Sequence, residues 1–167
     1  GLQQATSFFA STALLAVGAG FGLLTAADTI IRAFEESFVH LEIDRAAFYV
    51  KTAILMGLYA YAFFKFGWAY RLFNYSAVML AATPEAGEPG AEEAASAVAE
   101  MNIAAAGQFT HGLRAFFLAI AVLAWFITWW AFAFATVVIV FALANRQFNS
   151  KARFVAQGAM VRLQGKP

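Results

Sequence analysis

Cysteine is absent, which excludes disulfides, thiolate metal sites and cysteine nucleophiles. Charge is scarce: Asp, Glu, Lys and Arg make up 13% of the 167 residues and leave a net charge of +1. So small a balance gives no electrostatic case for nucleic acid or an acidic substrate as partner. What fills the space is apolar, with 62% of residues hydrophobic and 17% aromatic. Such a composition is not that of a soluble domain; it points to an all-α integral membrane protein of one domain spanning residues 1–167. The run AFFLAIAVLAWFITWWAFAFATVVIVFALA, between Arg114 and Asn145, carries no charge at all. As one helix it would measure about 45 Å, against a hydrocarbon core of about 30 Å. Two spans folded back at Ile127-Thr128 solve this, with Trp125, Trp129 and Trp130 at the water–lipid boundary.

Four spans are expected. The first covers residues 8–27, where FFASTALLAVGAGFGLLTAA is free of charge. A cleaved signal peptide is the rival reading, but such apolar cores run to about 7–15 residues and follow basic residues, which are missing here. The second covers residues 48–70. Lys51 and Lys65 bracket its charge-free centre about 21 Å apart along a helix, with stems in the apolar layer and ammonium groups reaching the two surfaces. The third and fourth cover residues 108–126 and 129–145, and the tail, residues 146–167, is basic (Arg146, Lys151, Arg153, Arg162, Lys166). The positive-inside rule puts that tail in the cytoplasm, the turn at Trp129 outside and the connection between the second and third spans inside.

Two connections read as helical. Ile30, Phe34, Phe38 and Leu41 recur at helical spacing and predict an interfacial helix on the outer surface. On the inside, Pro84, Gly87, Pro89 and Gly90 break the chain, and the alanine-rich stretch 91–106, with Glu92, Glu93 and Glu100, predicts an amphipathic helix leading into the third span. No internal repeat or inverted half is visible, which speaks against a secondary transporter of the inverted-repeat kind.

Few residues carry chemistry. Gly18, Gly20 and Gly22 sit within an apolar span and miss the G-x-G-x-x-G spacing. Gly18-x-x-x-Gly22 reads instead as a flat face for a neighbouring helix, first of all one from this chain. His40 and His111 fall on opposite sides of the membrane and cannot share a haem iron or a zinc ion. The span centres hold no Asp or Glu for a proton path, and Ser11 and Thr12 have no histidine at their depth, so neither an enzyme nor a pump is expected, and no cofactor or metal. The densest polar cluster is at the inner end: Lys65, Arg71, Asn74, Tyr75, His111 and Arg114. It reads as surface anchoring by Lys, Arg and Tyr, together with Trp68, or as a basic pocket for a lipid phosphate or other anion. Aromatics crowd the second span on all faces and suit lipid tails, quinone or pigment at the periphery.

Phe8-Phe9-Ala10-Ser11-Thr12, then Tyr61 to Trp68 (YAFFKFGW) leading to Arg71-Leu72-Phe73-Asn74-Tyr75, then Gly112 to Phe117 (GLRAFF) and Ala124-Trp125-Phe126 follow one another in an order that resembles an uncharacterised bacterial membrane-protein family, domain of unknown function 599. The resemblance covers most of the chain. It implies a helical fold in the bacterial cytoplasmic (inner) membrane, and a further span with a basic segment ahead of the Phe8 stretch; it supplies no activity. The expectation is therefore a non-enzymatic subunit, accessory to or assembling a larger membrane complex of respiratory or photosynthetic type, with other subunits or its own copies as partners. The alternatives are a small permease or anionic-lipid-binding protein using the basic cluster, or a pigment- or redox-binding subunit through His111.

Overall fold

The computed structural model describes residues 1–36, 44–85 and 87–148, and these are helical apart from short turns. Five helices follow one another: α1 (Leu2–Thr25), α2 (Ala27–Glu35), α3 (Arg45–Ala81), α4 (Ala91–Trp125) and α5 (Trp129–Phe148). Three of them, α1, α3 and α4, are long and apolar enough to cross a membrane; the apolar stretch of α5, Trp129–Asn145, is shorter.

Local chemistry sets most of the ends. Asp44 caps α3, its carboxylate accepting from the backbone N–H groups of Ala46 and Ala47 at 3.3 Å each. Between α3 and α4 lie Pro84 and Pro89, and Gly87 and Gly90 take φ of 99° and 85°, a region that costs a side chain about 1–2 kcal/mol. The turn expected at Ile127-Thr128 is present, and the Thr128 hydroxyl accepts from Ala131 N–H at 3.1 Å to start α5.

The helices α1, α3 and α4 form the core, with α3 packed against both others. Buried positions along α3 alternate by four and three residues: Phe48, Thr52, Leu55, Tyr59, Ala62, Phe66, Ala69, Phe73 and Ser76. This 3.5-residue average is the seam of a left-handed coil. The facing seams repeat every seven residues and are mostly small: Ala91, Val98, Ala105, Gly112 and Ala119 on α4, Thr6, Ala13 and Gly20 on α1. Where lipid is as apolar as the core, association depends on close approach, and small residues allow it. Two glycines show how close. A Cβ at Gly112 would stand 2.7 Å from the Phe66 ring, and one at Gly20 would collide with Met56. Around Phe66 the rings of Phe9, Phe109 and Phe116 meet at centroid distances of 5.5 to 6.5 Å and join the three helices.

The remaining helices lie outside this seam. α2 sets Ala27 and Ile31 against Phe48, and Asp28 pairs with Arg45 at 3.0 Å. α5 packs on α4 alone among the stronger helix pairs, with Phe132 stacked on Trp125.

Several boundaries differ from expectation. The first helix occupies residues 2–25 rather than 8–27, and α3, Arg45–Ala81, starts slightly before residue 48 and runs well beyond residue 70. The amphipathic stretch 91–106 and the span 108–126 are one unbroken helix, because the seam Val98–Ala105–Gly112 passes through residue 107 without a break signal. Of the helix expected over Ile30, Phe34, Phe38 and Leu41, the part to Glu35 is present as α2; Phe38, His40 and Leu41 lie outside the described residues, as does the tail from residue 149.

Candidate functional site

Polar side chains tie the seam at four levels, and these ties decide where each candidate residue goes. At one end the Lys51 ammonium donates to the Trp125 carbonyl at 3.0 Å and lies 5.2 Å from the Trp125 ring centroid, closing the C-terminus of α4. Fourteen residues on, Lys65 donates to Gln108 Oε1 at 2.9 Å and stands 5.4 Å from the Tyr61 ring centroid. The amine is thus turned sideways to α4 rather than extended along the helix. Beyond it, Gln3 Nε2 donates to Asn74 Oδ1 at 2.8 Å, and Asn102 Nδ2 donates to the Ser76 hydroxyl at 2.6 Å.

The six residues of the inner cluster therefore do not form one pocket. Lys65, Arg71 and Tyr75 share the outward face of α3 with Trp68, which stands about 60° from Lys65 and from Arg71 at 3.6 residues per turn. Arg71 lies 5.8 Å from the Trp68 ring centroid, and its Nη2 donates to the Tyr75 hydroxyl at 3.1 Å. Asn74 turns instead to α1. His111 is exposed on α4, three residues past Gln108 and so on the same side of that helix. Arg114 precedes Trp125 by eleven residues, about three turns, which puts both on one stripe of α4. Trp125 stacks on Phe132 at 5.2 Å, so that stripe is the side on which α5 packs, away from the Lys65 groove.

What remains is a groove of about 370 Å³ lined by Tyr61, Phe64, Lys65, Trp68 and Gln108. Tyr61, Phe64 and Gln108 are the lining residues that reading the chain did not single out as site residues. A glutamine at the edge of an apolar stretch carries no signal until the partner helix supplies the register that meets Lys65. Among the described residues no three His, Cys, Asp or Glu side chains converge as metal ligands.

The aromatic anchors divide. Trp68, Trp129 and Trp130 are exposed, the last two stacked at 3.7 Å, while Trp125 is half-buried under Lys51 and Phe132. Gly18 and Gly22 are exposed too, with no atom within 4 Å of a Cβ added to either. The glycine that packs within the molecule is Gly20, two residues from Gly18 and so about 200° around α1. The packing that the Gly18-x-x-x-Gly22 face was expected to make within this chain is made on the opposite face.

The chain belongs to the family described as "Protein of unknown function, DUF599", which matches residues 1–152. No curated protein and no solved structure matches it.

Proposed function

We propose that this DUF599 chain is a non-enzymatic accessory or assembly subunit that packs beside a larger complex in the bacterial inner membrane. The observation that carries the reading is the unused face of α1. Thr6, Ala13 and Gly20 pack toward α3, and on the opposite side Gln4, Ser7, Ser11, Gly18, Gly22 and Thr25 stand exposed, within about 40° of one stripe that exposed Leu14 and Leu15 flank. A helix face turned to lipid is better served by Leu, Ile or Phe, whereas small and hydroxyl side chains let another helix approach closely. Only 11% of the apolar stretch of α1 is buried, against 28% in α3 and in α4, so the molecule leaves that helix largely to its surroundings.

In this reading α1, α3, α4 and α5 cross the bilayer, and α2 lies at the outer interface. Lys51 and Arg71 stand twenty residues apart on α3, about 30 Å, which matches the hydrocarbon thickness. The basic tail then faces the cytoplasm.

The test is gentle native purification followed by mass spectrometry of what remains bound, for the wild type and for Gly18→Leu with Gly22→Leu. The wild type is expected to keep a stoichiometric membrane partner. The double variant is expected to lose it while melting like the wild type, since neither glycine touches the rest of the chain. A lone wild-type monomer would refute the proposal.

A further inference from the structure

The face of α3 that carries Lys65 and Arg71 holds two cations whose contacts are neutral. Lysine has three N–H donors and arginine five; Gln108 takes one from Lys65 and Tyr75 one from Arg71. Among the described residues the ion pair is Asp28–Arg45, at the other end of α3, so no carboxylate of the described chain neutralises either group. The groove is also polarised. Phe64, 72% exposed, and Tyr61 make its apolar end and Trp68 the other, while Arg71 and Tyr75 lie just outside the lining, further toward the α3 C-terminus.

We propose that this groove, together with Arg71 at its edge, binds one anionic phospholipid, its headgroup phosphate held over Trp68 between Lys65 and Arg71 and an acyl chain lying on Tyr61 and Phe64. The two cations are about 9 Å apart along α3 and about 120° apart around it, so both long side chains must swing toward the Trp68 stripe between them to close on a phosphate. Basic pockets on membrane helices favour anionic headgroups, and Trp and Tyr favour the headgroup level. A free phosphate would use the cationic end only, which is why the apolar end argues for a lipid. The site is independent of the accessory reading, for it needs no protein partner.

The experiment is native mass spectrometry of the full chain in non-ionic detergent with equimolar phosphatidylglycerol and phosphatidylcholine. The wild type is expected to retain one phosphatidylglycerol with a preference of roughly tenfold or more from the two cations. Lys65→Gln with Arg71→Gln should abolish the preference, and Lys65→Arg with Arg71→Lys should keep it. Should the double glutamine variant fail to fold, Arg71→Gln alone, which forfeits only the exposed contacts to Trp68 and Tyr75, must still reduce the preference. Lys51→Gln, at the other end of the helix, should leave it unchanged. Equal retention of the two lipids, unchanged retention in Arg71→Gln, equal loss in Lys51→Gln, or binding of inorganic phosphate as strong as that of the lipid would each overturn the site.

Discussion

Gly112 and Gly18 look alike in sequence, each a glycine in an apolar helix, and the fold treats them oppositely. Gly112 faces the Phe66 ring, which is fully buried, and Gly18 faces open space. Gly112→Ala is expected to lower stability by about 1–3 kcal/mol, the usual cost of overpacking a filled core. Gly18→Ala should be neutral or stabilising by up to about 1 kcal/mol, since alanine is the better helix former. Thermal melting of the purified variants followed by tryptophan fluorescence checks both, and equal effects would contradict the packing described. Lys51→Met is a second residue-scale prediction. It removes the donor to the Trp125 carbonyl and should cost about 1–2 kcal/mol, as loss of a charge-assisted bond does at a half-buried site. Norleucine-like bulk at that position would retain the contact with the Trp125 ring, so the loss reads the hydrogen bond more than the packing.

At the scale of the element, the long α4 makes the sharpest prediction. Gly107→Pro falls in the middle of an unbroken helix and should cost about 3 kcal/mol or more through the lost hydrogen bond and the clash with the preceding turn. Two separate helices meeting near residue 107 would tolerate it, with little change in circular dichroism or melting. The same element shows what was legible in the chain. Helix existence and the breaks at Pro84–Gly90 and Ile127-Thr128 follow from charge-free runs and turn residues, whose physics is local. The direction each helix faces does not follow from amphipathicity, because lipid-facing and protein-facing side chains are both apolar. The signal that survives is spacing: Thr6, Ala13, Gly20 and Ala105, Gly112, Ala119 repeat every seven residues, a pattern masked by the more conspicuous Gly18-x-x-x-Gly22. The candidate groove was half legible. Lys65 and Trp68 stand out as a cation and an interfacial aromatic near an apolar run, with Arg71 and Tyr75 beside the groove, whereas Gln108 joins it only through the register of α3 against α4, and Arg114 leaves it because helical rotation carries it to the α5 side.

For the whole molecule, the arrangement is a three-helix seam with α2 laid against one end and α5 along one side. Its cysteine-free chain allows single-cysteine labelling without background. With the bilayer placement proposed above, Thr128→Cys and Glu88→Cys should react with an impermeant maleimide from opposite faces of intact membranes, Thr128→Cys from outside. Reaction of both from one face would contradict four crossings. The exposed stripe of α1 is the feature that separates this molecule from a self-sufficient bundle, for its glycines Gly18 and Gly22 are as small as those of the buried seam on the reverse side and face open space.

The accessory reading is therefore tested most directly by cross-linking from that stripe. With Ser11→Cys or Gly18→Cys labelled by a short photoactivatable cross-linker in native membranes, the account predicts one stoichiometric protein adduct, recovered by mass spectrometry and absent when the label is moved to the packed side at Ala13. Only lipid adducts from the stripe, with a monomer on native purification, would contradict it.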